Sequence, residues 1–493
     1  MEIAGVDTPG GCAKPASAHR GGVVERSGLI VWGNDGVKKV LCALGCALLV
    51  ALASPQSGQF AQAVAPAPTH GSVVPDTPRT DFPKTLDGTV DAGDQVGNIL
   101  VYGGTFNAHE LPDGTAIPQR YLVAFNVNTG VVVSGFRPVL NGPVTSIEAG
   151  DVAGTVFIGG GFTTVNGTAA PRLAKLELAT GRLIRTFQGN VNGTVKTMAR
   201  VGTRLFIGGS FTSVSGLPRA NLAEVNTLTG TPSATFTTGV TGLRNSGCRV
   251  DGFCGSLTGA IVRSIRATPD GSRLIVMHRG DKVGGLTRWG VAKLNISGRI
   301  ASVTGWRTDL WDLARNQGRK EAVSIVEGDL SPDGKYLVVS NIFGNFPPLH
   351  DTVVAFPTAG ESLVQPLWVT QNFDSTYAVA ASDKAVYVGG HFCWTESMAA
   401  SPAPMYWPGL SGNVYSCAQT SGAVFRPYTT YRGQIAALDP ATGHALPWDP
   451  RSDGFNGVHF LRTVPRGLML GHDGARIKSL EVGRAAFFDL QAN

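Results

Sequence analysis

Short apolar runs that stop at a glycine pair recur along this chain, each followed by a further apolar run and a small polar turn. The clear copies are Val101-Tyr102-Gly103-Gly104, Phe157-Ile158-Gly159-Gly160, Phe206-Ile207-Gly208-Gly209 and Tyr387-Val388-Gly389-Gly390. Degenerate copies are Ile275-Val276-Met277-His278, Val338-Val339-Ser340-Asn341 and Met469-Leu470-Gly471-His472. The cleanest unit predicts strand a over 195–199, strand b over 204–208 and strand c over 221–225, then the Thr229-Gly230 turn and a strand d ending near Phe236. Asn, Asp or Thr before Gly suits tight turns that need a positive φ. The a–b turns Pro269-Asp270-Gly271 and Ser331-Pro332-Asp333-Gly334 are equally tight.

Strand d carries one aromatic in six units: Phe136, Phe187, Phe236, Trp306, Trp368 and Trp448. The last unit stops at its strand c, Phe487-Phe488-Asp489-Leu490. Its missing strand stands at the other end of the chain, because 82–90 matches 187–195 in length and in its Gly-Thr-Val ending. Units that bury their faces against neighbours let a long chain fold without one oversized core. The expectation is an all-β fold: a seven-bladed β-propeller closed by an N-terminal strand that completes the last blade and removes a sheet edge. The d-strand aromatics are expected to pack blade on blade.

The run Gly-Gly-x-Phe-Thr followed by Val-x-Gly, at 160–167 and 208–216, resembles the delta-sixty-type repeats of secreted actinobacterial proteins. It is also similar to the propeller of fungal cortical-marker proteins. The resemblance covers roughly 80–493 and is weak in the fourth, fifth and seventh units. It implies the fold and an extracellular location. It brings no catalytic residue with it, because the shared motif is a folding motif.

Composition narrows the functions. The 493 residues are 43% hydrophobic and 15% charged, which suits a globular chain, and 65 glycines without a three-residue period exclude collagen. A net charge of +6 without Lys/Arg clusters excludes a phosphate-tracking surface, so no nucleic-acid partner is expected. Lys38-Lys39, the apolar run 40–53 and Ala61-Gln62-Ala63 match an export signal with its cleavage site. The run is shorter than the about 20 residues of a spanning helix, so no transmembrane anchor is expected. Val37 is a candidate true start, and Arg outnumbers Lys 29 to 12, as in GC-rich bacterial genomes where GTG starts are common. The expected organisation is an export region 1–63, a Pro-rich linker 64–80 and a propeller 81–493. Cys248, Cys254, Cys393 and Cys417 follow the signal, an even set that argues for disulfides in an exported protein. Local pairing, Cys248–Cys254 and Cys393–Cys417, is one of three connectivities; a four-Cys zinc site is the alternative, with spacings unlike a zinc knuckle.

Because strands alternate in direction, b–c and d–a loops share one face, and every long segment falls in that set. These are 105–119, 237–260, 307–321, 342–351, 391–431 and 449–457. Long loops on a rigid scaffold are where binding concentrates. Loop 391–431 holds Trp394, Tyr406, Trp407, Tyr415, Tyr428 and Tyr431. With Trp311, these could stack sugars or anchor a protein, or else bury a small core of their own. His278, His391 and His472 sit at b-strand ends beneath this face, with Glu396 and Asp473 near them in sequence. Asp449 and Asp453 supply too few ligands for calcium, and Asp251 and Asp309 are further loop carboxylates. The expected binding residues are therefore Trp311, His391, Trp394, Tyr406, Trp407, Asp449 and Asp453, with no metal and no cofactor. No H-E-x-x-H, G-x-S-x-G, P-loop or EF-hand motif occurs. The resulting expectation is a secreted, non-catalytic, monomeric propeller that binds an envelope polysaccharide or surface protein. The alternative is an extracellular propeller enzyme, a glycosidase or polysaccharide lyase.

Overall fold

In the computed structural model, residues 68–245, 257–311, 324–342, 351–372, 374–396 and 429–491 are described. Their regular structure is all β, and none of their helices is long and apolar enough to cross a membrane. Seven antiparallel sheets share one plan, strands a, b and c lying side by side in chain order. The first is Val90–Val96, Ile99–Gly104 and Leu122–Asn126. The second is Val144–Ala149, Thr155–Gly160 and Leu173–Glu177, and the third Thr194–Val201, Arg204–Ser210 and Leu222–Asn226. The fourth runs through Ile261–Ala267, Arg273–Arg279 and Val291–Asn295, the fifth through Ser324–Leu330, Tyr336–Ile342 and Thr352–Pro357. The sixth has Thr376–Ala381, Val386–Gly390 and Ile435–Leu438, the seventh Val458–Val464, Gly467–His472 and Ala485–Asp489. Strand d is Ser302–Val303 in the fourth sheet and Trp368–Gln371 in the fifth. In the first, second, third and sixth it shrinks to one bridge, such as Phe125 to Val132 or Leu176 to Leu183.

Apolar side chains from neighbouring sheets meet in separate clusters, so the core is distributed between sheets. Val101 and Leu122 join Ile147 and Ile158 of the second sheet, and Phe157 joins Met198 and Ile207 of the third. The series ends with Val464, Met469 and Phe487 of the seventh sheet packed with Leu100 and Tyr102 of the first. The six strand-d aromatics are all buried. Two of them reach across to the next sheet, where Trp306 Nε1 donates to the Pro357 carbonyl at 3.0 Å and Trp368 Nε1 to that of Pro440 at 2.9 Å.

The repeat motif has a physical reading. Asn192 Oδ1 accepts the amides of Thr212 and Ser213 at 2.9 Å each, and Asn141 Oδ1 those of Thr163 and Thr164 at 2.7 and 2.9 Å. Each Asn thereby clamps the Gly-Gly-x-Phe-Thr turn while Phe162 and Phe211 are driven into the core. The adjacent Gly193 must lack a side chain, since a Cβ there would lie 2.0 Å from the Ser210 carbonyl oxygen.

The N-terminal segment lies along the seventh sheet. The Arg79 amide donates to the Phe487 carbonyl at 2.9 Å, the counterpart of Ile184 donating to Lys175 in the second sheet. Phe82 packs its ring 5.6 Å from Phe487 and 6.1 Å from Phe125. Asp489 pairs with Arg79 at 2.9 Å and Arg466 at 2.7 Å. Within 64–80, His70 is buried, with Nε2 2.9 Å from the Val464 carbonyl, and Val74 is buried as well. Loop 237–260 also differs from expectation, because Leu243–Asn245 and Leu257–Gly259 pair as a hairpin.

Candidate functional site

In most sheets the b–c connection folds into a small hairpin that pairs with the segment entering the same sheet. The bridges are Leu140 to Val165, Val191 to Val214 and Ser452 to Ile477, and Val240 pairs with Val283. Long b–c and d–a connections therefore meet on one face, and strand a starts beneath it.

At that end every a–b pair carries a β-bulge at one equivalent position. The bulged residues are Asp91, Thr145, Lys196, Arg263, Val326, Tyr377 and His459. A bulge twists a strand locally and re-aims the extra side chain, which is why bulges gather near functional sites. Here they set chemically different side chains at one level. Asp91, Thr145, Lys196 and His459 line a cavity of about 60 Å³ with Arg266 and Glu327.

The electrostatics of this level are uneven. Burial lowers the Lys196 ammonium's pKa; Arg263 and Arg279 lower it further, and Asp91 opposes them. Arg263 Nε donates to the Val326 carbonyl at 3.4 Å and Arg279 Nε to that of Ile325 at 3.1 Å. Burial raises the Asp91 carboxyl against a 3.0 Å hydrogen bond from Thr89 and the charges of His459 and Lys196. Tyr377 and His459 stack with centroids 5.2 Å apart and planes 11° from parallel. Burial raises the Tyr377 hydroxyl and lowers the His459 imidazole, which the charges of Asp473 and Asp91 oppose. Three cations on the third and fourth sheets thus share a level with a stacked pair and a carboxyl from the sixth, seventh and first.

The residues singled out in sequence have different fates. His391 adjoins this cluster: its Nδ1 is 3.4 Å from Asp374, and its ring lies 6.1 Å from Phe455. Trp394 is half-buried, edge-on to Tyr431 at 5.5 Å. Arg451 covers Tyr431 at 5.1 Å and pairs with Asp449 at 2.6 Å, so Trp394 and Asp449 belong to one contact chain. Asp453 is a turn residue whose Oδ1 accepts the amides of Ala475 and Arg476 at 2.8 Å each. Trp311 is a correction: it is 1% exposed and tilted against Phe356 at 5.4 Å, a core residue and not a stacking surface. Tyr406, Trp407, Cys248, Cys254 and Cys417 lie outside the described residues, and Cys393 is buried. His472 is held by Ser452 Oγ at 2.9 Å and the Gly483 carbonyl at 2.8 Å, and both His472 and His278 are buried. Among the described residues no three His, Cys, Asp or Glu side chains cluster as metal ligands would.

Sequence reasoning passed over Asp91, Lys196, Arg263, Tyr377 and His459. Their signal is positional: each follows the last residue paired before the bulge near the start of strand a, which is Val in most copies and precedes an unlike residue every time. Farther along strand a lies a second layer, around a cavity of about 210 Å³. Arg462 pairs with Asp94 at 3.2 Å and Glu148 at 3.3 Å, and Arg266 with Asp329 at 2.8 Å and Glu327 at 3.2 Å. Asp94 also accepts the Ala149 amide at 2.9 Å and Asp329 that of Ala381 at 2.9 Å, so this layer ties neighbouring sheets together.

No sequence-family model matches the chain, and no curated protein is significantly similar to it. Among solved structures it is similar to the β-propeller domain of Myceliophteria thermophila Cps50 (Swd1), with a TM-score of 0.42 and 11% identity over 82% of this chain and 98% of that one. It is also similar to the computationally designed Ika8 protein, with a TM-score of 0.41 and 13% identity over 82% and 98%.

Proposed function

We propose that the chain is an exported, monomeric, seven-bladed β-propeller, closed by the segment before Val90, that binds an envelope glycan without catalysis on its looped face. Closure is supported by the Arg79–Phe487 hydrogen bond, which repeats the register of the other strand-d segments, and by Phe82 packed between Phe125 and Phe487. Export is supported by the sequence of 38–63, by the even set of four cysteines that follows it and by the resemblance to secreted delta-sixty-type repeats.

One observation carries the binding reading: the bulged level gathers hydrogen-bonding, cationic and stacked aromatic side chains under the loops. A sugar has hydroxyls for the first, a uronate or phosphate substituent for the second and an apolar ring face for the third. A surface protein recognised by the same face is the other binding form. An extracellular glycosidase or lyase is the second reading, favoured by the Asp91 carboxyl, which burial shifts toward the pKa of a proton donor.

The test is co-sedimentation of residues 64–493 with isolated cell walls, before and after their polysaccharide is stripped. Binding that disappears on stripping, with no sugar released into solution, is the expected result. Binding that survives stripping would favour a protein partner. Release of soluble sugar that stops in Asp91→Asn would favour the enzyme.

A further inference from the structure

Apart from the looped-face level, the outer rim of the first sheet holds a further cavity, of about 400 Å³. That size lies within the range of small-molecule sites, roughly 300–1,000 Å³. Pro83, Leu111, Ile117, Val131 and Val132 line it with largely apolar surface, and His109 is part of its wall. Val131 is 63% exposed, so the rim of the cavity is open to solvent.

His109 breaks the repeat. Counting six residues on from the first glycine of each pair gives Val165, Val214, Thr395 and Ile477, and the same spacing from Met277 gives Val283. All five are buried, four of them aliphatic. In the first sheet the residue is His109, paired with Thr85 on one side and Ile117 on the other. It is fully buried, and neither Nδ1 nor Nε2 has a hydrogen-bond partner. Burying a polar group without a partner is destabilising, a cost that valine at this position avoids. Burial, and secondarily Arg137, lowers its pKa to about 4, so at neutral pH the ring offers one donor and one acceptor.

We propose that this rim cavity binds a small, uncharged, largely apolar molecule bearing a hydroxyl group, which reaches the imidazole of His109. The hairpin Ala108–Glu110 to Ala116–Pro118 pairs with the short strand Lys84–Thr85, so His109 stands between Thr85 and Ile117 at the cavity wall. The site takes aryl or branched alkyl alcohols, its charged residues Asp81, Asp113 and Arg137 standing beside a mostly apolar lining.

The probe is p-cresol, with toluene as its hydroxyl-free analogue, titrated calorimetrically into residues 64–493 and into His109→Val. Valine is the residue of three sister hairpins, so the variant is expected to fold and to unfold at the same temperature or higher. Saturable p-cresol binding that weakens about tenfold or more in His109→Val, about 1.4 kcal/mol, supports the site. The preference for p-cresol over toluene must vanish in the same variant. No saturable binding by the parent protein in the millimolar range, or equal binding by parent and variant, overturns it.

Discussion

His472 stands where the clear copies of the repeat have their second glycine, and the surrounding strands have absorbed it as a buried, neutral side chain. Its nitrogens meet Ser452 and the Gly483 carbonyl, with Asp453, Asp473 and Arg484 the charges around it. Burial lowers its pKa from 6.5 to about 4. The unfolded chain therefore takes up this proton first as pH falls, and stability drains away between about pH 6.5 and 4. Urea unfolding across that window should show the fall, with a shallower slope in His472→Gly; a slope unchanged in the variant would contradict it. Arg462 is the opposite kind of residue, a cation holding two buried carboxylates from different sheets. Removing one member of such a group strands the others, at a cost of about 3–5 kcal/mol. Arg462→Ala should therefore lose about 3 kcal/mol in equilibrium unfolding, whereas Arg476→Ala, whose pair with Glu481 is exposed, should lose almost none.

Single strands and turns were the most legible features of the sequence, because each unit repeats its own local chemistry. Strand c of the third sheet, expected over 221–225, is Leu222–Asn226, and strand b, expected over 204–208, is Arg204–Ser210. Gly193→Ala tests the clamp within a unit: a new Cβ 2.0 Å from the Ser210 carbonyl oxygen forces backbone to move, and a loss of about 1–3 kcal/mol is expected by thermal or chemical unfolding. The bulges were not legible, since an extra residue in one strand changes pairing and not composition. For that reason Lys196, Tyr377 and His459 escaped notice, although their place near the start of strand a was there to read. Trp311 misled for a related reason. A tryptophan in a long connection suggests an exposed stacking surface, yet here it fills the space beside Phe356. His391 and Trp394 follow the clear Gly389-Gly390 end of their strand, which sets both in the b–c connection of the sixth sheet.

At the scale of the whole molecule, the proposed ring depends on two ends of the chain meeting far apart in sequence, at Arg79 and Phe487. Deleting 64–89 removes Phe82 and exposes Phe125 and Phe487 along an open sheet edge. The truncated protein is expected to self-associate in size-exclusion chromatography and unfold at lower temperature, with a peptide spanning 70–89 restoring the monomer. A truncated chain that stays monomeric with unchanged unfolding would leave the ring without its closing strand. The binding claim rests on the level where the bulges converge, and one measurement addresses it most directly. The affinity of residues 64–493 for isolated cell walls would be compared with that of a Lys196→Ala/Tyr377→Ala variant whose unfolding transition is checked in parallel. The account predicts binding about tenfold or more weaker with stability little changed; equal wall binding by the two proteins would contradict it.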